Sequence, residues 1–175
     1  MPEKSEDIVT ASRAAVVVKR LNPAATIVEA ASAIHVDDPS LIKGKSVLVV
    51  EDGPTVTHGQ MRDSVGAIAA HQYGARELVN PRPFAVGSIK RTYEKYPHIG
   101  FVLPAMGYGP RQVKELEETI ARTPCDSVIL ANDIDIRRIM KVDKPAAKVR
   151  YEIREVTRPS LEELLNKFLE RLGKK

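Results

Sequence analysis

Apolar and polar residues follow one another along this chain in blocks that are typical of strands separated by helices. The clearest block is residues 45–52, in which Val47, Leu48, Val49 and Val50 form an uninterrupted apolar run. Such a run is typical of a strand buried on both faces, as in a parallel sheet. Shorter apolar runs predict further strands, at residues 26–30, 77–79, 99–103 and 127–131.

Other segments carry apolar residues at the three- and four-residue spacing of helices, or lack helix breakers. They predict helices at residues 3–20, 61–73, 85–96, 110–122 and 134–140. Gly74 and Pro97 mark two helix ends, and Pro110 occupies a favourable first-turn position. Ser160 and Glu163 have the spacing of a capping box, which predicts a last helix after them.

Residues 149–156 alternate apolar and charged side chains, which predicts an edge strand with one solvent-exposed face. Together, the alternating strands and helices predict an α/β fold with an open, mostly parallel, doubly wound sheet. This Rossmann-like architecture has helices on both faces. The length of 175 residues fits a single α/β domain over residues 1–175.

Composition narrows the class of protein. Hydrophobic residues make up 43% and charged residues 29%, and the net charge of +4 comes from mixed signs along the chain, a pattern that suggests a thermophile. No apolar run is long enough to cross a membrane, and the charged first residues do not form a signal peptide. With one cysteine, Cys125, these features predict a cytoplasmic protein. The aromatic content of 5%, without a basic tract, argues against nucleic acid as a partner.

Ligands of doubly wound sheets bind beyond the carboxyl ends of the strands, so the loops that follow strands are the candidate sites. The first loop combines carboxylates, hydroxyls, an imidazole and two glycines. We expect it to bind phosphate through Gly53, Thr55, Thr57 and Gly59, since glycine lets backbone N–H groups approach an anion. His58 and Asp52 are the candidate catalytic residues, and Glu51 and Asp52 the candidate Mg²⁺ ligands. Turn geometry alone would also explain the glycines, and loop capping the acids.

Two later loops are candidates for the same ligand. Arg82 lies between two prolines, which would hold its guanidinium rigidly for phosphate, and Ser88 follows in the same loop. Gly107, Tyr108 and Gly109 join a predicted strand to a predicted helix, where backbone amides and a phenol could face the same edge. The alternatives are a surface arginine in a kinked loop and a small-residue turn that packs on its neighbour.

No complete nucleotide-binding motif occurs in the chain. The Walker A string is absent, and the pair Gly44-Lys45 is discounted because it precedes its strand. The dinucleotide-binding fingerprint is also absent, because the third glycine it needs after Gly107 and Gly109 is replaced by Gln112. We therefore expect any nucleotide to be held by another segment or chain.

Three strings carry a resemblance to a known family: VVEDGPTVTHG at 49–59, PRPFAVGSI at 81–89 and YPHIGFVLPAMGYG at 96–109. With residues 30–32 and 36–39, they resemble the C-terminal part of the cyclic 2,3-diphosphoglycerate synthetase family, also described as predicted archaeal GTPases. The likeness extends over nearly the whole chain.

The resemblance implies that the chain is the C-terminal segment of a larger, P-loop-containing archaeal enzyme, inactive without that region or a partner chain. The activity implied is ATP-dependent closure of a phosphoanhydride in 2,3-diphosphoglycerate, a phosphorylated small molecule, with Mg²⁺ and ATP or GTP as cofactors. The chain would supply phosphate-binding and substrate-binding loops. The alternative is a non-catalytic module for anion binding or assembly. A strand left unpaired at the sheet edge would favour a homo-oligomer.

Overall fold

The computed structural model describes residues 6–58 and 64–173, except for the side chains of residues 6–13 and of His58. These residues form two compact units. The larger unit is Ile34–Tyr151, and the smaller one contains the described residues on either side of it. No described helix is long and apolar enough to span a membrane.

The elements alternate between strand and helix through most of the chain. The strands are β1 Ala30–Val36, β2 Ser46–Asp52, β3 Glu77–Leu78, β4 Val102–Ala105, β5 Ser127–Ala131 and β6 Ala146–Glu155. The α-helices are α1 Glu6–Leu21, α2 Gly53–His58, α3 Val65–Gln72, α4 Gly87–Lys95, α5 Pro110–Arg122 and α6 Leu161–Gly173. Short 3-10 helices add Pro39–Leu41, Arg82–Phe84 and Ile136–Arg138.

The strands form one sheet in the order β1-β6-β5-β2-β3, and β4 also pairs with β2. Strand β2 is parallel to β3, β4 and β5, and β5 is parallel to β6. The open, mostly parallel α/β sheet expected from the sequence is therefore confirmed. Since β5 runs along one edge of β2, β3 and β4 share the other edge in succession.

The centre of the larger unit is β2. Its residues Val47–Val50 are fully buried, so both of its faces are covered. Burying each such side chain contributes roughly 1.5–3 kcal/mol. Helix α3 lies against β2 and β5 through small residues, because Gly66, Ala69 and Ala70 allow its backbone to approach the strands closely.

The sequence predicts several bounds correctly. Helix α5 and strand β5 have the expected limits, and β2 differs by one residue. Helix α3 begins only at Val65, where Ser64 caps it by accepting a hydrogen bond from Ala67 N; residues 61–63 of the expected helix lie outside the described residues. The first loop, expected after β2 and ending at Gly59, is wrong over its described part, since the helix α2 Gly53–His58 follows β2 directly.

Three other expectations are corrected. The strand expected at 26–30 is wrong, because β1 begins at Ala30; β1 is largely exposed, so no apolar run marks it. The helix expected at 134–140 is only the 3-10 helix Ile136–Arg138. Strand β6 begins at Ala146, earlier than expected, and its first residues lie inside the sheet because Ala146–Lys148 pair with β5; residues 150–155 are exposed, which explains the alternating pattern.

The smaller unit contains α1 and α6. At the start of α6, Ser160 Oγ accepts a hydrogen bond from Glu163 N at 3.1 Å, and the Glu163 carboxylate accepts one from Ser160 N at 3.1 Å. The predicted capping box is confirmed, and it satisfies two backbone N–H groups that the helix itself leaves unpaired.

Candidate functional site

The carboxyl ends of three parallel strands meet at one edge of the larger unit. The register pairs Asp52 of β2 with Ala105 of β4, and Glu51 with Ala131 of β5. The segments after β4 and β5 therefore start beside the end of β2. This is the edge where open α/β sheets bind their ligands.

Asp52 is the centre of a polar network at this edge. Its Oδ1 accepts hydrogen bonds from Tyr108 Oη at 2.7 Å and from Asn132 Nδ2 at 3.1 Å. Its Oδ2 accepts one from the backbone N–H of Asp133 at 3.0 Å. Burial raises the pKa of Asp52, but these three hydrogen bonds outweigh it and hold the pKa below its usual value. Asp52 is therefore a carboxylate at neutral pH.

Tyr108 and Asn132 are fixed as donors to this carboxylate. Burial, together with the hydrogen bond and the charge of Asp52, raises the pKa of Tyr108 far above its usual value, so its hydroxyl keeps its proton. Asn132 is 3% exposed, and its Oδ1 is the one buried side-chain polar atom in the described residues without a hydrogen-bond partner. An unpaired buried acceptor costs about 1–3 kcal/mol, and such groups call for a functional or structural reason.

Glu51 lies on the opposite face of β2 from Asp52, as neighbouring residues of a strand do. It is 2% exposed, and its Oε1 accepts a hydrogen bond from Gly66 N at 2.5 Å at the start of α3. Burial raises its pKa to about 7, although the hydrogen bonds from Gly66 and Ser64 act in the other direction. Glu51 thus connects the central strand to α3.

The structure does not bring the two expected Mg²⁺ ligands together. Glu51 and Asp52 leave β2 on opposite faces, and each already accepts hydrogen bonds from its own side. Within residues 6–58 and 64–173, no three His, Cys, Asp or Glu side chains form a group that could hold a metal ion. The described residues do not by themselves form a Mg²⁺ centre. The metal role of Glu51 and Asp52 stays a prediction from the sequence.

Comparison with known proteins shows a likeness to part of a synthetase. Arginine synthetase ArcE of Thermococcus kodakarensis is 56% identical to this chain over 151 residues. The match covers 86% of the chain but 34% of ArcE, so the chain spans about a third of the length of the relative it matches. This chain is related to part of a synthetase. No family model matches it, and no solved structure does.

Several residues expected in the first loop lie in α2. A Cβ on Gly53 would lie 2.4 Å from Met106 Sδ and 2.9 Å from Ala105 O, so close packing on the segment after β4 requires glycine there. Thr57 Oγ1 donates to Gly53 O at 2.9 Å, within the helix. Thr55 is half-buried in the same helix. His58 ends α2 without a described side chain, and Gly59 lies outside the described residues.

Arg82 has partners within its own unit. Its guanidinium donates hydrogen bonds to the carbonyls of Pro97, at 3.0 Å, and Ile99, and its Cζ lies 4.7 Å from the centroid of the Tyr93 ring. These contacts join the segment after β3 to the segment before β4. The structure does not bring Arg82 into the Asp52 network.

Ser88 lies nearer to the expected site. It donates to the Glu115 carboxylate through its N–H, at 2.8 Å, and through its hydroxyl, and these bonds hold the pKa of Glu115 at about 2. Ser88 also shares a small cavity with Gly107 and Gln112. The structure therefore brings the end of the second loop beside the third loop.

Gly107 and Gly109 are organised by Gln112 of α5. A Cβ on Gly107 would lie 2.7 Å from the Gln112 side chain, whose Oε1 accepts a hydrogen bond from Gly109 N at 3.4 Å. Gln112 therefore lies against the backbone on both sides of Tyr108, whose hydroxyl donates to Asp52. The two glycines therefore help to position a residue of the network.

A separate groove of about 600 Å³ lies on another part of the larger unit. Its walls include His71 of α3, Leu78 of β3 and Phe101 before β4, and neither Asp52 nor Asn132 lines it. A groove of this volume could hold a small ligand. The hydrogen-bonded polar groups that give a site specificity lie instead at the carboxyl edge.

Sequence reasoning missed Asn132, Asp133 and Lys148. The first two directly follow β5, so the rule applied to the other strand ends would have found them. Lys148 gave no such signal, because it lies inside β6, within an ordinary mixture of charged and apolar residues.

The raised pKa of Glu51 predicts a pH-dependent stability. The neutral form is favoured in the folded chain, so the stabilisation is complete below the ordinary pKa of 4.5 and is lost as pH rises through about 7. Urea unfolding should show wild type losing about 2 kcal/mol between about pH 5 and pH 8 relative to Glu51→Gln. Glutamine can still accept from Gly66 N but carries no charge.

The matched control for this prediction is Glu94→Gln, which changes an exposed glutamate of α4. Its stability should vary with pH as that of wild type does. Parallel curves for wild type and Glu51→Gln would show that Glu51 ionises normally in the folded chain.

Proposed function

We propose that this chain is the substrate-binding α/β segment of an ATP-dependent synthetase, and that the edge formed by Asp52, Tyr108 and Asn132 holds the substrate. The observation that carries the proposal is the Asp52 network, because it joins the ends of three parallel strands at the usual ligand edge. The identity of 56% to part of arginine synthetase ArcE supports the reaction class.

The charge of this edge favours a guanidinium-bearing substrate or product, arginine. Asp52 is ionised and Asp133 lies beside it, whereas the nearby Lys148 donates to backbone carbonyls. A guanidinium group matches a carboxylate in shape and charge. Oδ2 of Asp52 accepts one hydrogen bond from the described residues, and a carboxylate oxygen can accept a second.

The second candidate reaction is closure of the phosphoanhydride in 2,3-diphosphoglycerate. The three strings that resemble that synthetase family favour it, and two of them contain Asp52 and Tyr108. Crowded phosphates beside Asp52 and Asp133 would need cations to reduce the repulsion. Mg²⁺ and ATP or GTP would then be held largely by a P-loop segment outside this chain.

The roles of the chain's residues follow from their positions. Asp52 orients the substrate through its carboxylate, and Tyr108 and Asn132 hold that carboxylate in place. His58 is the proposed proton acceptor on the evidence of the sequence, because an imidazole can act as a base at neutral pH. Ser88 and Gly107, which line the same small cavity, would form the wall of the substrate site beside Tyr108. A positioned substrate reacts faster because alignment removes much of the entropic barrier.

Calorimetry of this chain tests the proposal with four ligands: L-arginine, and 2,3-diphosphoglycerate, ATP and GTP each with Mg²⁺. We expect arginine to bind, with an affinity that falls as salt screens the carboxylates. Binding of 2,3-diphosphoglycerate in its place would support the phosphoanhydride reaction. Binding of none of the four would contradict a substrate-binding role and favour a non-catalytic assembly module.

A further inference from the structure

Lys148 is a lysine buried in the middle of a sheet. It lies on β6, opposite Leu130 of β5, and is 4% exposed between buried Ala147 and Val149. Lysine is almost never buried to this extent unless its ammonium group has partners, because burial removes the group from water.

Both hydrogen-bond acceptors of the Lys148 ammonium among the described residues belong to the segment that holds Asp52. Nζ donates hydrogen bonds to the backbone carbonyls of Asn132 and, at 2.9 Å, of Ile134. The Asn132 carbonyl belongs to the same residue as the Asn132 side chain and to the same peptide group as the Asp133 N–H, and both of these groups donate to Asp52. The C=O and the N–H of a trans peptide point in opposite directions. The Lys148 ammonium and the Asp52 carboxylate therefore hold the Asn132–Asp133 peptide group from opposite sides.

We propose that Lys148 is a positioning residue of the carboxyl-edge site, which fixes the 132–134 turn so that Asn132 and Asp133 meet Asp52. This inference rests on the proposed function for its meaning in catalysis. Its structural content, the dependence of Asp52 on Lys148, stands on geometry alone.

Fold stability does not by itself account for a lysine at this position. The two partners are neutral carbonyls, which offset little of the cost of burying a charge, and an apolar side chain of similar volume would avoid that cost. What the ammonium adds is a positive charge near several acids. The charged groups that act on it are Asp135, Asp52, Asp133 and Arg137.

The charge also acts on Asp52. Lys148 is one of the groups that lower the pKa of Asp52, after the hydrogen bonds from Tyr108, Asn132 and Asp133. Lys148 therefore holds the donors of Asp52 in place and also favours its ionised form.

Carboxyl-carbon NMR titration of Asp52 in the ligand-free chain tests the inference directly. Lys148→Met removes the charge and both hydrogen bonds, so the pKa of Asp52 should rise and the Asp133 amide should exchange faster with solvent. Lys148→Arg keeps the charge and should keep the pKa closer to that of wild type. If Lys148→Met does not fold, Lys148→Gln provides a second variant, with a donor but no charge.

Lys144→Met is the matched control. Lys144 also donates to a backbone carbonyl, that of Thr123. Thr123 precedes β5, so this hydrogen bond lies at the amino end of β5, whereas Asn132 follows its carboxyl end. The control should leave the Asp52 titration and the Asp133 amide unchanged. A folded Lys148 variant with wild-type values for both would overturn the inference.

Arginine binding gives the second readout. Lys148→Met should bind arginine about tenfold or more weakly, and Lys144→Met within about twofold of wild type. Equal affinity in wild type and a folded Lys148→Met chain would also overturn the positioning role. If wild type itself does not bind arginine, the proposed substrate fails, while the NMR titration still decides the role of Lys148.

Discussion

Replacing Asp52 by asparagine is expected to weaken arginine binding by roughly 2–3 kcal/mol, because it removes a charge-assisted hydrogen bond. The substitution also affects the protein itself. An amide nitrogen at either carboxylate position would face a group that donates to Asp52, from Tyr108, Asn132 or Asp133. Calorimetry with L-arginine measures the loss of affinity.

Asp143→Asn is the control for this experiment. Asp143 lies in an exposed ion pair with Lys141, at 2.9 Å, away from the network, and exposed pairs contribute little to stability. The control should bind arginine as wild type does. If Asp52→Asn kept wild-type affinity while the control did too, Asp52 would have no part in binding arginine.

Gly66→Ala is expected to destabilise the larger unit by about 3 kcal/mol or more. A Cβ on Gly66 would lie 2.5 Å from Val49 Cγ1, 2.9 Å from Ala131 Cβ and 2.9 Å from Glu51 Oε1. These neighbours belong to β2 and β5 and cannot move without disturbing the core, so overpacking costs more here than at a flexible site. The added methyl group would also push α3 away from the Glu51 carboxylate, which accepts a hydrogen bond from Gly66 N. Urea unfolding measures the change.

Gly100→Ala provides the comparison, since nothing lies within 4 Å of a Cβ at that position and its φ is not positive. This variant should unfold at the same urea concentration as wild type or slightly higher, because alanine reduces the freedom of the unfolded chain. Equal stability of Gly66→Ala and Gly100→Ala would show that α3 does not lie as close to β2 as described.

The buried part of the fold could be predicted from the sequence because burial leaves a pattern. Val47–Val50 and residues 127–131 are apolar without interruption, and the helix Pro110–Arg122 has a proline at its start and one apolar face. Strand β1 left no such pattern, since its side chains are largely exposed and its place in the sheet depends on backbone pairing with β6.

The candidate site could be predicted in part for a similar reason. Asp52 and Tyr108 lie directly after buried strands, where the topology of a parallel sheet indicates a ligand edge. The partners of Arg82 could not be predicted, because Pro97 and Ile99 approach it only through the fold. The role of Lys148 could not be predicted for the same reason, because it depends on which backbone carbonyls accept hydrogen bonds from its ammonium group.

The most direct test of the central claim is an NMR titration of the chain with L-arginine, followed at every assigned backbone and side-chain amide. We expect the shifts to concentrate at residues 105–109 and 131–134, at the Asn132 side-chain amide and at Asp52. Shifts confined to the groove lined by His71 and Phe101, with none at Asp52 or Asn132, would contradict a substrate site at the carboxyl edge.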